Sequence, residues 1–542
     1  MRPRTIAAAA ASVALLTVAA RVAGFGRQVA YAQTVGDQCL STAYTSANQV
    51  PNLLFEIVAG GALAGVLVPL LSARLASEDP QDRAAASRTA SAALTWSVLA
   101  VGLVAALTAL LARPLMGSLL AGQASTGCAG IVATGATMLL IFLPQVPLYA
   151  VAVVLAGVLQ AQQRFTAPAA APLVSSLVVA ASYLLFGALV APTTRAGDDL
   201  TALPPATWTV LAGGTTLGVL ALALTHAPAL RSGVRWRPTL RAAPGDGPRL
   251  RSLALSGLAV VLAQQVVTLV VLRLTNAAEP GALPRWSFVW ALFLLPYAVL
   301  AVPIATAVFP RLARAEGAEL SGLLSRAGRT VLLSASLGAA LLVAAADPLA
   351  GVFLDGEVGS GRTGEMVAAL VVFAPGLLGY GVLALWTRAL YVLGAGRAAA
   401  AGTVAGWASV AVLAIAATRV PGLPVVPAVA GAHTLGLSLA ALLLGRALHR
   451  RLGPAATAGG VRAVAAGTGA AVPAALAGLA VAWLLPDPGG LLAHVLRGAA
   501  LAVPTTLVWI AGVSLLARAD VRELRTTLRR GRGRSPRTEE AR

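Results

Sequence analysis

The chain has 542 residues, of which 58% are hydrophobic and 11% are charged, and its mean hydropathy is +0.82. Soluble domains carry about 25% charged residues, so this composition excludes a water-soluble fold and indicates lipid as the main solvent. The formal net charge of +20 comes entirely from arginine, because the sequence contains no lysine. The lack of lysine excludes a Walker A loop, whose lysine reaches the nucleotide phosphates, and with it a built-in ATPase.

Apolar runs of about 20 residues, each long enough to cross a bilayer, follow one another along the chain. The first could be read as a secretory signal, but apolar sequence continues past Arg21, which favours a first membrane span. Hydropathy places the centres of the runs near residues 18, 60, 100, 145, 180, 217, 263, 300, 340, 380, 408, 436, 473 and 504. The sequence therefore predicts an all-α polytopic membrane protein with about 14 transmembrane helices.

Arginine is concentrated in alternate loops, beginning with Arg2 and Arg4 at the amino terminus. The intervening loops hold few arginines and most of the isolated acids, such as Asp37 and Asp347. This alternation satisfies the positive-inside rule, and an even number of spans returns the chain to its starting side. We therefore expect a multi-pass protein of the cell membrane with cytoplasmic N and C termini. For the arginine-rich tail, attraction to anionic membrane lipids is favoured over binding of nucleic acid.

Two sequence motifs recur at similar offsets, which indicates an internal repeat. The first motif is Phe142, Pro144 and Tyr149, which recurs as Phe373, Pro375 and Tyr380. The second is Val68, Pro69, Leu71 and Arg74, which resembles Phe309, Pro310, Leu312 and Arg314. Both copies begin on the same side of the membrane, which predicts two parallel six-helix lobes suited to alternating access around a central cavity, plus two C-terminal helices. The predicted divisions are an N-lobe at 1–230, a cytoplasmic basic linker at 231–251, a C-lobe at 252–451, the last two spans at 452–517 and a basic cytoplasmic tail at 518–542.

Five charged residues within the apolar runs are candidates for a substrate-binding site: Arg21, Arg27, Arg273, Arg388 and Glu56. Because an arginine at mid-bilayer costs about 2.5 to 3.5 kcal/mol, each should face a cavity, meet a partner or snorkel to the interface. The predicted repeat makes the first and seventh spans equivalent, so their arginines could converge, with Glu56 as the acidic partner. Guanidinium groups gathered in a wet cavity indicate an anionic ligand, and they match phosphate oxygens well.

Cys39 and Cys128 fall in loops predicted to be external, where either a disulfide or two unrelated small residues would fit. The four histidines are scattered without metal-ligand spacing. The spans contain no acid pair and no serine with a nearby base, so the usual catalytic constellations are missing. We therefore expect neither an enzyme nor a bound metal or cofactor.

The opening of the chain resembles the MurJ/MviN family of lipid II flippases, within the multidrug/oligosaccharidyl-lipid/polysaccharide exporter superfamily. The residues that carry the resemblance there are Arg21, Gly24, Phe25, Arg27, Gly36, Pro51, Asn52, Leu53, Gly61, Val68 and Pro69. Further matches are Arg164, Phe165, Pro168, Pro172, Pro296, Pro310, Arg388, Ala389, Leu390 and Tyr391. The resemblance implies a fourteen-span protein of two lobes that moves a polyprenyl-diphosphate-linked peptidoglycan precursor, lipid II, across the cytoplasmic membrane. It implies that Arg21 and Arg27 hold the diphosphate.

The chain departs from the pattern of the family it resembles at four positions. Thr42 stands where the family usually has an acid, Phe55 where it has arginine, and Gly60 where it has glutamate, while its cavity arginine falls on Ala291. Two alternatives to lipid II translocation therefore stay open. One is export of another lipid-linked glycan or amphipathic molecule, and the other is a non-transporting scaffold that binds cell-wall synthesis proteins.

Overall fold

The computed structural model describes residues 3–58, 64–125, 127–189, 199–201, 204–244, 246–355, 362–486 and 489–522. Throughout these ranges the regular elements are helical, which confirms the all-α class. By length and composition, 12 helical stretches in the described ranges could cross a membrane; some of them, such as Ile131–Ala161 and Ala282–Leu312, join consecutive helices, and a bent pair of shorter helices raises the number to 13. The predicted centre near residue 60 lies outside the described residues, as do Gly60 and most of the basic tail. The exact count of about fourteen therefore stays a prediction.

The first of two compact units comprises Met1–Phe288 and Phe353–Arg362. Within it, α1 packs on α8, α8 packs on α9, and α7 packs on both α3 and α4. The helices of this unit are α1 (Pro3–Thr34), α2 (Cys39–Val58), α3 (Ala64–Ala76), α4 (Pro80–Leu110), α5 (Ala112–Ser125), α6 (Ile131–Phe142), α7 (Gln145–Ala161), α8 (Thr166–Leu189), α9 (Pro205–Thr225), α10 (Asp246–Ala278) and the first part of α11 (Ala282–Pro296).

The second compact unit comprises Val289–Val352 and Thr363–Arg542. Its core is a cluster of buried aliphatic side chains that includes Leu324, Val331, Leu385 and Leu444. The helices of this unit are the rest of α11, α12 (Val302–Leu312), α13 (Gly317–Ala344), most of α14 (Ala346–Leu354), α15 (Thr363–Phe373), α16 (Gly376–Val392), α17 (Gly396–Ala417), α18 (Val425–Leu452), α19 (Gly460–Leu484) and α20 (Leu491–Leu516).

The division between the units falls after the predicted linker at 231–251, because α10 packs with the first unit against α2, α3 and α5. Asn276 near the end of α10 explains this packing. The backbone carbonyl of Asn276 accepts a hydrogen bond from Gln123 Nε2 at 2.8 Å, and its side-chain Nδ2 donates to Ser46 Oγ at 2.9 Å. The grouping of the spans into two six-helix lobes stays a prediction.

Each copy of the first repeat motif interrupts a helix at its proline, although only the second copy bends its helix pair by more than 40°. Proline lacks the amide hydrogen that a helix needs, and α6 ends just before Pro144 as α15 ends just before Pro375. A threonine from another helix satisfies a backbone carbonyl at each break. Thr216 Oγ1 donates to the carbonyl of Ile141 and Thr434 Oγ1 to that of Val372, both at 2.8 Å. The same local chemistry at both sites supports the internal repeat.

A disulfide joins Cys39 to Cys128 across 89 residues, with the two Cα atoms 5.6 Å apart. Of the two alternatives that the sequence allowed, a disulfide or two unrelated small residues, the structure has the disulfide. Cys39 is the first residue of α2, and Cys128 lies just before α6, so the bond ties the beginnings of two helices that also pack on each other. Both residues are buried.

We expect the double substitution Cys39→Ala/Cys128→Ala to lower the free energy of unfolding by about 2 to 4 kcal/mol, because the unfolded chain loses its cross-link. Thermal melting of the purified protein, with and without a membrane-permeant reductant, measures this change. The reductant should lower the melting temperature of the wild type and leave that of the double variant unchanged. Identical melting curves for all four samples would contradict a stabilising disulfide.

Candidate functional site

Two of the predicted site residues share a neighbour in the first unit. Arg27 on α1 is half-buried and Glu56 on α2 is exposed, and both lie in the neighbourhood of Tyr149 on α7. The ring of Tyr149 packs on Phe55, with the centroids 4.2 Å apart. We call Arg27, Phe55, Glu56 and Tyr149 the Arg27 cluster. Three helices thus present one cation, one carboxylate and two aromatic rings together.

Within the described part of the chain, the Nε of Arg27 is buried without a hydrogen-bond partner. A buried donor without a partner costs about 1 to 3 kcal/mol, and more when the group is charged. A ligand that carries anionic oxygens would remove this cost. The Arg27 cluster therefore has the chemistry to bind a phosphate group.

The other predicted arginines have different surroundings. Arg21 is exposed on α1, beside the exposed side chains of Val18 and Val22. Arg273 on α10 is also exposed, and its Nη1 donates a hydrogen bond to the backbone carbonyl of Ser118 on α5. Arg388 belongs to the second unit, where it is half-buried on α16, and its buried Nη1 has no hydrogen-bond partner among the described residues.

A fully buried arginine that the sequence analysis did not single out lies at the start of α11. Arg285 Nη1 donates to Asp37 Oδ2 at 3.0 Å, and neither side chain is exposed to solvent. Arg285 Nη2 donates to Glu279 Oε1, and Arg362 pairs with the other oxygen of Glu279. We call Asp37, Glu279, Arg285 and Arg362 the Arg285 network. It joins the α1–α2 turn, the α10–α11 turn and the segment before α15.

Close backbone contact surrounds the Arg285 network. Gly281 adopts a φ of +86°, and a Cβ atom there would lie 1.7 Å from the carbonyl oxygen of Asp37, so only glycine fits. The amide of Gly281 donates to Thr42 Oγ1 at 2.8 Å, and that hydroxyl donates to the carbonyl of Gln38 at 3.0 Å. Thr42, one of the four departures from the family pattern, thus joins the α10–α11 turn to α2.

Aromatic side chains surround another of the departures, Ala291 on α11. The neighbouring Trp290 and Phe293 both stack on Phe373 of α15, and the rings of Phe293 and Phe373 lie 3.7 Å apart with an interplanar angle of 4°. Tyr380 on α16 completes the group through contacts with both α11 rings. Where the resemblance leads us to expect a cation, the second unit has an aromatic cluster in which Phe293 and Phe373 are fully buried and Trp290 and Tyr380 are half-buried.

A signal for the Arg285 network was present in the sequence but weak. Arg285 interrupts the apolar stretch 281–296 and thus resembles the other intramembrane arginines. Its partners, however, come from positions far apart in the chain, and no spacing rule connects them. Among the described residues, no group of three or more His, Cys, Asp or Glu could hold a metal ion.

The family profile described as lipid II flippase MurJ matches residues 31–486. The chain belongs to this family. A relative named probable lipid II flippase MurJ, from Rhizobium meliloti, is 26% identical over 377 residues, which cover 68% of this chain and 67% of the relative. The lipid II flippase MurJ of Burkholderia cenocepacia is 28% identical over 385 residues, which cover 68% of this chain and 70% of the relative.

Solved structures agree on the fold. A lipid II flippase MurJ in an inward closed conformation superposes with a TM-score of 0.74 at 16% identity and covers 94% of this chain and 99% of its own. An inward-facing multidrug resistance MATE family transporter of the MOP superfamily reaches a TM-score of 0.63 at 12% identity, with 81% of this chain and 96% of the transporter covered. The resemblance to the MurJ family inferred from the opening of the sequence is confirmed.

We expect Asp37→Ala to lower the free energy of unfolding by about 3 to 5 kcal/mol, because it removes a carboxylate from the fully buried Arg285. Thermal melting of the purified protein measures this loss. Adding Arg285→Met in the same chain should restore part of the stability, since no unpaired charge then stays buried.

Asp347→Ala is the matched control. Its carboxylate pairs with Arg497 at 3.0 Å but is 55% exposed, and Arg497 keeps a hydrogen bond to the carbonyl of Ala482, so the cost should be clearly smaller than at Asp37. Equal losses for the two alanine variants would contradict the special role of the buried pair.

Proposed function

We propose that this MurJ family member translocates lipid II, a polyprenyl-diphosphate-linked peptidoglycan precursor, across the cytoplasmic membrane by alternating access. Membership of the family is the observation that carries the proposal. We propose further that both termini are cytoplasmic, and that the lobes at 1–230 and 252–451 rock against each other. Because the chain has no built-in ATPase, the energy for translocation would have to come from another source.

We propose that the Arg27 cluster binds the diphosphate of the substrate. The support is the half-buried guanidinium of Arg27, whose Nε lacks a hydrogen-bond partner. A planar guanidinium can bind two phosphate oxygens at once, so one arginine can hold and orient a diphosphate. The hydroxyl of Tyr149, in the same cluster, could donate a further hydrogen bond.

The remaining predicted residues have secondary roles in this proposal. The exposed Arg21 would meet the substrate headgroup before Arg27 does, and the unsatisfied Nη1 of Arg388 would receive an anionic group in the second unit. Arg273 would contribute least, because a carbonyl of α5 already accepts its hydrogen bond. Glu56 would limit the affinity for the anion and so allow its release.

The proposed partners follow from the same chemistry. They are the lipid-linked diphosphate glycan, anionic membrane lipids and proteins of cell-wall synthesis. We propose no enzymatic step and no nucleic-acid partner.

The aromatic group around Ala291 favours one alternative substrate class. Trp290 and Tyr380, the two half-buried rings of this group, would pack against sugar rings or apolar groups better than against phosphate. An exporter of another lipid-linked glycan or of an amphipathic molecule is therefore the second candidate.

We expect the wild-type gene to restore growth to cells depleted of their own lipid II flippase, and Arg27→Ala to abolish this rescue because the diphosphate loses its main cationic contact. Growth, together with membrane abundance of each variant by immunoblot, measures the outcome. Arg27→Lys should rescue weakly, because a lysine keeps the charge but loses the planar fork.

Arg450→Ala, at an exposed position near the end of α18, is the matched control and should rescue fully. Full rescue by Arg27→Ala at wild-type abundance would overturn the proposed diphosphate site. Failure of the wild type to rescue, with normal abundance, would favour the second candidate or a scaffold.

A further inference from the structure

The segment between α9 and α10 is docked along α4 rather than looped away from it. Three of its backbone amides, at alternate residues, donate to hydroxyls one helical turn apart on α4. Two residues of extended chain advance about 6.6 Å and four residues of helix about 6 Å, so the two repeats match. The bonds join Arg235 N to Ser87 Oγ at 3.2 Å, Arg237 N to Ser91 Oγ at 3.1 Å and Thr239 N to Thr95 Oγ1 at 3.3 Å.

The segment then turns and runs back along the same helix. At the turn, Trp96 Nε1 donates to the carbonyl of Leu240 at 2.9 Å. On the return, the amide of Ala243 donates to Thr89 Oγ1 at 3.2 Å, and that hydroxyl donates to Asp246 Oδ2 at 2.6 Å. The turn at Leu240 is therefore held from both sides.

Burial separates the side chains of this docked segment into two sets. Val234 is buried and Trp236 packs against the same core cluster, which fixes the segment on the protein. Arg235, Arg237 and Arg241 are exposed. Within the described part of the chain, these three arginines have no acidic partner.

The turn also exposes apolar surface beside its arginines. The side chain of Leu240 is 54% exposed and that of Trp96 is 56% exposed. A single exposed leucine needs no explanation, but a leucine and a tryptophan flanked by unpaired arginines are typical of a membrane–water interface. We call Trp96, Arg237, Leu240 and Arg241 the Leu240 tip.

The sequence of α4 places the Leu240 tip near such an interface. Residues 89–110 of this helix contain no charge, and that length spans about 30 Å, the thickness of a hydrocarbon core. Asp82, Arg83 and Arg88 precede this run, so the helix leaves the hydrocarbon near its start. Trp96 lies about 12 Å along the helix from Arg88 and therefore inside this boundary, whereas Arg237, which is docked level with Ser91, lies closer to the headgroups.

We propose that the Leu240 tip is a binding site for anionic phospholipid headgroups. Arg237 and Arg241 bind the headgroup phosphates, while Leu240 and Trp96 enter the boundary between headgroups and acyl chains. The docking on α4 holds these groups in place before lipid binds, which lowers the ordering cost. The inference does not rest on the identity of the transported substrate.

A fluorophore at the tip tests this proposal directly. Because Cys39 and Cys128 are bonded to each other, a Leu240→Cys variant of the full chain can be labelled at one position with an environment-sensitive dye. The protein is placed in nanodiscs of phosphatidylcholine with increasing phosphatidylglycerol. We expect the emission to shift to the blue as phosphatidylglycerol is added, and spin-labelled acyl chains to quench it.

Charge substitutions in this labelled protein separate a site from general attraction. Each arginine near an anionic surface contributes roughly fivefold, so Arg237→Gln/Arg241→Gln should weaken the phosphatidylglycerol response roughly 30-fold. The control Arg450→Gln/Arg451→Gln removes two exposed arginines elsewhere and should leave the response unchanged. High salt should also weaken the phosphatidylglycerol response of the protein without these charge substitutions.

Two results would overturn the proposal. One is a dye that stays in water at every phosphatidylglycerol content. The other is an equal loss of response in the tip variant and the control variant, which would indicate attraction to the protein as a whole. All four substituted arginines are exposed, so none of these variants removes a core contact.

Discussion

The burial of Arg285 beside Asp37 is the interaction on which the first unit depends. Both side chains are removed from solvent, and each charge would be costly there without the other. Asp37 lies in the short turn between α1 and α2, so the ion pair fixes the angle at which these helices leave that turn. The disulfide at Cys39 and the 2.6 Å hydrogen bond between the hydroxyls of Tyr31 and Ser41 hold the same corner. Because α1 carries Arg27 and α2 carries Glu56, this corner positions the proposed substrate site.

The two proline breaks explain how such a helical protein can bend without leaving backbone groups unpaired. In lipid, an unsatisfied carbonyl costs several kcal/mol, so a broken helix needs a partner at the break. Thr216 and Thr434 supply that partner in the two units. The second break bends its helix pair by 47°. A conformational change that alters either angle can therefore keep its hydrogen bonds if the threonine moves with the break.

The helical membrane class was predictable because each apolar run carries its own signal, independent of distant residues. The breaks at Pro144 and Pro375 were also local, since proline acts on its own helix. The Arg285 network was not predictable, because its members come from distant parts of the chain that no spacing rule connects. In addition, a single arginine hardly changes the mean hydropathy of an apolar run. In the sequence, Thr42 stood out only because the family usually has an acidic residue there. In the structure, its hydroxyl accepts a hydrogen bond from the amide of Gly281. The pairing of Cys39 with Cys128 needed coordinates, since two cysteines in loops predicted to be external could be either bonded or unrelated.

Direct binding of a diphosphate lipid tests the central claim, that the Arg27 cluster recognises the substrate through its diphosphate. Native mass spectrometry of the purified protein would compare undecaprenyl diphosphate with undecaprenyl monophosphate. The account predicts that the wild type retains the diphosphate lipid more strongly, and that Arg27→Ala loses this preference while retention of the monophosphate changes little. An unchanged preference in Arg27→Ala would contradict the account.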